Sequence, residues 1–164
     1  MKLLIRESKK DDAYDIAHVV AISWNETYKG IVPDWFLKEL LLNEKENGKR
    51  LYDNYGNNHE LVLIIDNEIV GFIRYGKSED DDFDNCGEII AFYIIKKYHG
   101  NGLGRKLFEM ARNDLKKEGY NKMIIACLKG NSTNEFYKHM GGKYIKDGEF
   151  KKLNLKENIY YFDI

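Results

Sequence analysis

Three glycines within five residues constrain this chain more than any other feature. The run His99-Gly100-Asn101-Gly102-Leu103-Gly104-Arg105 follows the apolar segment 88–95 and opens an amphipathic pattern over 102–118. Glycine lets backbone N–H groups approach a ligand with no Cβ in the way. A helix beginning here would add the partial positive charge of its N-terminus. Strand, glycines and helix in that order point to a site for phosphate or pyrophosphate. A glycine-rich turn that only reverses the chain is the alternative. Two common phosphate-binding patterns fail on named residues. No G-x-x-x-x-G-K-[ST] occurs anywhere,. A dinucleotide fingerprint needs a glycine where Arg105 stands, and an acidic residue at the end of the next strand, where Cys127-Leu128-Lys129 stands,.

The segments around the cluster order themselves by hydrophobic period. Residues 3–6 read as a short strand. Ala13, Ile16, Ala17, Val20 and Trp24 recur at helical spacing,, with Ser8 or Asp11 placed to cap that helix. Pro33-Asp34 opens a second helix containing Trp35, Leu37, Leu40 and Leu41, and 46–55 suggests a third. Segments 61–65 and 69–75, joined by Asp66-Asn67, predict a hairpin. Segment 88–95 has almost no polar interruption, as in a strand covered on both faces. A helix over 102–118, a buried strand over 122–128, a short helix over 132–140, and strands over 143–145 and 158–164 complete the chain. The sum is a mixed α/β sheet with helices on both faces, not a repeating βαβ array.

Length and charge narrow the function classes. A chain of 164 residues suits one domain,, and at that size folding buries about two-thirds of the unfolded surface. With 26 basic and 27 acidic residues, the charge balance argues against a nucleic-acid or anionic-membrane partner. The N-terminal apolar run is too short for a signal peptide, and no stretch approaches the roughly 18 apolar residues of a membrane span. Cys86 and Cys127 have no disulfide or metal-ligand pattern, so a reduced cytoplasmic protein without a metal is the expectation. Cys127 reads as a thiolate nucleophile or as a buried, inert thiol. His18, His59 and His139 show no pairing. The acidic stretch 78–85 is an exposed loop, either simply solvated or attractive to a cationic amine.

The glycine cluster resembles the [QR]-x-x-G-x-[GA] motif of the GNAT superfamily of acyl-CoA-dependent N-acetyltransferases, with His99 in the Gln/Arg position. Residues 88–94 look like the family's fourth strand. Asn131-Ser132-Thr133-Asn134-Glu135-Phe136-Tyr137-Lys138-His139-Met140-Gly141-Gly142 is similar to N-x-x-A-x-x-F-Y-x-x-x-G-F, one residue shorter before Tyr137 and with Gly142 in place of the commoner Phe. The segment Trp24-Asn25-Glu26-Thr27-Tyr28-Lys29-Gly30, with Pro33 and Leu37, resembles bacterial members. The element order matches over essentially the whole chain. The resemblance implies one GNAT domain over 1–164. It also implies a mostly antiparallel sheet of about seven strands, with a V-shaped gap between strands four and five.

It further implies acetyl-CoA as co-substrate. The amides of Gly100, Asn101, Gly102, Leu103, Gly104 and Arg105 would hold the pyrophosphate. Backbone groups of Phe92, Tyr93 and Ile94 would pair with the pantetheine arm, and Asn131 would contact the cofactor. An amine acceptor arrives protonated and must lose a proton. Glu88 is the candidate base, directly or through water, and a solvated strand-end residue is the other reading. Tyr137 fits the acid that protonates the leaving thiolate, or else a core aromatic. Trp24, Tyr28 and Trp35 would line the acceptor pocket or fill core. The implied activity is transfer of an acetyl group to a small amine, polyamine, lysine or peptide N-terminus. A non-catalytic acyl-CoA-binding sensor is the rival, and a homodimer is left open.

Overall fold

The chain runs β1 (Leu3–Glu7), α1 (Ala13–Thr27), α2 (Asp34–Leu42), α3 (Glu44–Asp53), β2 (His59–Ile65), β3 (Glu68–Lys77), β4 (Gly87–Ile94), α4 (Leu103–Lys117), β5 (Lys122–Leu128), α5 (Thr133–His139), β6 (Lys143–Phe150) and β7 (Leu155–Asp163). This computed structural model describes all 164 residues. The strands form one seven-stranded sheet in the order β1-β2-β3-β4-β5-β7-β6, with helices around it. Pairs β1–β2, β5–β7 and β6–β7 are antiparallel, and β4–β5 is parallel. The expected mixed α/β architecture is therefore present.

Two compact units share the chain. The first is Met1–Arg74 with Ala91–Phe108, and the second is Tyr75–Ile90 with Glu109–Ile164. In the first, Asp66 and Asn67 both adopt positive φ, 50° and 70°. This is the two-residue turn that matches strand twist, and Asx residues tolerate it best among non-glycines. Neither Ser8 nor Asp11 caps α1, contrary to expectation. Asp12 does the local work: its carboxylate accepts the Lys9 N–H at 2.7 Å and pairs with Arg6 at 2.7 Å. Ile16, Val19, Val62 and Phe72 form this unit's core, with Val20, Leu51, Ile64, Ile69, Ala91, Tyr93 and Ile95 packed on it.

In the second unit the sheet faces differ. A Cβ at Gly87 would lie 2.9 Å from Leu115 Cδ1, so α4 rests almost on the β4 backbone. Cys86, Ile124 and Ile159 cluster with Phe83 and Tyr161. Strand β7 begins at Leu155 rather than 158, and two other strands depart further from expectation. Strand β6 extends to Phe150 rather than ending at 145, because β7 pairs with it along its length from Lys143 through a register shift to Phe150. Its exposed residues carry no apolar alternation that would announce a strand. Strand β4 is not covered on both faces, since Ile90 is 40% exposed.

Candidate active site

The glycine cluster of the first unit adopts the form its residue types suggest. Gly100 and Gly102 have φ of +85° and +73°, and a Cβ built at either would meet nothing within 4 Å. The space above the backbone is open at both. Lys106 N–H bonds to Gly102 O at 3.1 Å, which makes Gly102 the residue that caps α4. The first four amides of an α-helix have no intrahelical acceptor, so Gly102, Leu103, Gly104 and Arg105 present theirs outward. No acidic residue lies in the first turn to neutralise them. Such a cradle of amides could hold an anion the size of a pyrophosphate.

His99 has a part here that sequence reasoning did not assign. Its Nε2–H donates to Ile94 O at 2.6 Å; a carbonyl only accepts, so that nitrogen carries the proton. The ring ties the start of the cradle to the end of β4. Glu26 on α1 holds the segment between them by accepting Lys96 N–H at 3.1 Å. Beside β4, Trp24 packs edge-on to Tyr28 at 4.6 Å and lies 6.2 Å from Tyr93. Trp24 and Tyr28 are buried, but Trp35 is 58% exposed. The core reading therefore fails for Trp35, which rests on Phe36. Phe92 and Tyr93 are half-buried and Ile94 is buried.

In the second unit, β4 pairs with β5 through Gly87, Glu88 and Ile89 against Met123, Ile124 and Ile125, while β4 itself runs on to Ile94. Glu88 is not a solvated strand end. It accepts the Ser78 hydroxyl at 2.9 Å. Burial pushes its carboxyl above the ordinary range, Ser78 opposes that, and Asp80 and Glu79 add to it. A group of this kind takes up a proton more readily than a surface glutamate.

The register supplies a second carboxylate that the sequence did not reveal. Glu88 faces Ile124, Ile124 faces Tyr161, and Leu128 faces Glu157. Side chains of paired residues share a sheet face and alternate along a strand. Glu88, Ala126, Ile159 and Glu157 thus lie on one face. Burial, then the Glu88 charge, raises Glu157 as well. The acidic loop is clamped to this face rather than free. Lys146 pairs with Asp80 at 2.8 Å and Asp82 at 2.6 Å, and its hydrogen bond holds the Asp80 carboxyl below the ordinary range. Phe83 stacks on Tyr161 at 6.1 Å.

Asn131 and Tyr137 are both buried. Asn131 Oδ1 accepts Thr133 N–H at 3.0 Å and so opens α5. Tyr137 lies 6.2 Å from the Tyr160 ring and 5.4 Å from Phe136. Burial pushes the Cys127 thiol up to about 12 and Cys86 up to about 11, so neither is a thiolate at neutral pH. His18, expected without a partner, lies 2.6 Å from Glu44. No group of three His, Cys, Asp or Glu side chains could hold a metal ion, and no helix is long and apolar enough to cross a membrane.

A sequence model described as the acetyltransferase (GNAT) family matches residues 10–141. The chain belongs to the GNAT family. GNAT proteins similar to it include an uncharacterized N-acetyltransferase, YuaI, from Bacillus subtilis, 28% identical over 160 residues, covering 93% of this chain and 88% of the relative. A spermidine N(1)-acetyltransferase from Thermoplasma acidophilum is 22% identical over 152 residues, covering 90% and 91%. Among solved structures, the PaiA N-acetyltransferase from Thermoplasma acidophilum, in complex with coenzyme A, superposes with a TM-score of 0.78 at 22% identity and full coverage of both chains. The fold is thus a GNAT fold, and the chain is an acyl-CoA-dependent acetyltransferase by family.

Proposed function

We propose that residues 1–164 work as one domain that moves the acetyl group of acetyl-CoA to a primary amine, with a polyamine or similar cationic amine as the acceptor class. The observation that carries this reading is the open cradle at Gly100 and Gly102 under the first turn of α4, in a chain of the GNAT family. Backbone dipoles there suit a pyrophosphate without any surplus of basic side chains. Asn131 would contact the cofactor, and backbone groups of Phe92, Tyr93 and Ile94 would run alongside the pantetheine arm as an added strand.

The chemistry assigned to the chain's own residues is two proton movements. Glu88 takes the proton of the acceptor ammonium, directly or through one water, and its raised proton affinity suits that role,. The freed amine nitrogen forms a bond to the thioester carbonyl carbon while a β4 amide polarises the carbonyl oxygen. The carbon–sulfur bond breaks, the Tyr137 hydroxyl gives its proton to the departing thiolate, the acylated nitrogen loses its second proton to water, and water reprotonates the Tyr137 oxygen. The acceptor class rests on the shared face of Glu88 and Glu157, and on the spermidine acetyltransferase among the relatives. Two carboxylates on one face favour an acceptor with more than one positive charge.

The test is thiol release from acetyl-CoA with a panel of spermidine, a monoamine, a lysine peptide and an N-terminal peptide. Release with spermidine well above hydrolysis is expected. Bound acetyl-CoA with no amine raising release would overturn the enzymatic reading in favour of a binding module. Release with the monoamine alone would overturn the acceptor class.

A further inference from the structure

The geometry points to Asn134 as a positioning residue that holds Asn131 in place for the cofactor, an inference that rests on the proposed function. Asn134 is 7% exposed and uses its whole amide. Nδ2 donates to Leu128 O at 2.9 Å and to Asn131 O at 2.7 Å. Oδ1 accepts Asn158 Nδ2–H at 3.0 Å and the Tyr160 hydroxyl at 2.8 Å. A side-chain amide offers two donors and one acceptor oxygen with two lone pairs, so nothing is left over.

What these bonds join is informative. Leu128 ends β5, and Asn131 sits three residues on, after Gly130 at φ +87°. A connection through a glycine is intrinsically loose. Asn134 grips it at both ends and is itself anchored on β7, where Asn158 lies opposite Cys127 and Tyr160 opposite Ile125. The Asn131 side chain is restrained by neighbours in the chain: Oδ1 takes Thr133 N–H, and Nδ2 lies 3.8 Å from Cys127 Sγ. Its direction therefore depends on where its backbone is held. This chain is one residue shorter between Asn131 and Tyr137 than the similar family motif. The buried amide tethers that shortened turn.

The experiment is coenzyme A binding by titration calorimetry on Asn131→Ala, Asn134→Ala, the double variant and Tyr160→Phe, with a melting curve for each. Asn134→Ala should weaken coenzyme A about tenfold. Tyr160→Phe, which removes one donor to Oδ1, should weaken it two- to threefold and serves if Asn134→Ala does not fold. The decisive readout is coupling, because residues acting as one unit do not add. The double variant should bind within about twofold of the weaker single. The KM for acetyl-CoA should rise while that for the amine stays within twofold. Multiplying effects in the double, or unchanged coenzyme A affinity in Asn134→Ala or, where that variant does not fold, in Tyr160→Phe, would overturn the inference and leave the proposed function standing. Failure of the wild-type chain to bind coenzyme A would overturn both.

Discussion

Gly142→Ala tests the link between the end of α5 and the reacting end of the site. A Cβ on Gly142 would lie 2.7 Å from Tyr137 O, 2.7 Å from Phe162 Cζ and 3.0 Å from Phe162 Cε2. Ordinary carbon contacts sit near 3.5–4.0 Å, so something must move by several tenths of an ångström. The Phe162 ring is 1% exposed and has nowhere to turn. The Tyr137 carbonyl is backbone, and it accepts Gly142 N–H at 2.9 Å. Overpacking of this kind costs about 1–3 kcal/mol, or a melting temperature about 2–12 °C lower for a chain of this size. The displaced carbonyl belongs to the proposed acid, and small misplacements of a catalytic group are costly, so kcat should fall about tenfold. Gly141→Ala is the control. Gly141 has φ +99° but open space around it, so alanine there should cost about 1–2 kcal/mol of backbone strain and leave kcat within about twofold. Circular-dichroism melts and thiol-release kinetics on both variants decide the matter. Equal melting temperatures for Gly142→Ala and the wild type, or equal losses of kcat in the two variants, would refute the reasoning.

Tyr137→Phe should lower turnover by about 10²-fold and leave coenzyme A affinity within about twofold; unchanged turnover removes Tyr137 from the acid role. Glu88→Gln should abolish most activity at neutral pH. Its stability profile has a definite sign, because the folded-state pKa of Glu88 is raised by burial. The neutral form's advantage is fully present below the unfolded pKa and is lost as pH rises through the folded pKa. Glutamine never bears that charge, so melts should find the variant at least as stable as wild type at neutral pH and the gap closing in acid; a variant less stable only at neutral pH would contradict this. Gly102→Ala should cost about 1 kcal/mol from its positive φ and weaken coenzyme A at least tenfold, since the methyl fills the open cradle; calorimetry showing wild-type affinity would remove that cradle from the cofactor site.

The fold was legible where local chemistry and hydrophobic period agree. Asp66-Asn67 announced its turn because Asx residues accept left-handed φ,. The 122–128 run matched β5 to the residue because it is a short apolar segment between polar flanks. Strand β6 was half-missed because KYIKDGEF has no buried face to alternate; what holds it is the β7 ladder, which only the folded chain supplies. The N-cap position of the first helix falls on Asp12 rather than on Ser8 or Asp11 for a similar reason. Asp12 is chosen by Arg6, a partner on the preceding strand, and not by local spacing alone.

The proposed site residues show the same division more sharply. Its backbone half can be read from sequence, because a cradle of amides needs glycines at fixed positions before a helix, and Gly100 and Gly102 stand there with the positive φ that only glycine adopts cheaply,. Its side-chain half is built across the sheet. Glu157 joins Glu88 only through two strand registers, and Asn134 reaches Asn158 and Tyr160 from the far end of a turn. Such groups have ordinary neighbours in the sequence and no motif to mark them. On the proposed function, the half that the glycines announce would serve any acyl-CoA, and acceptor choice would lie with the half that register creates, so substitutions at Glu157 should change which amine is used while those at Gly102 change how tightly the cofactor is held.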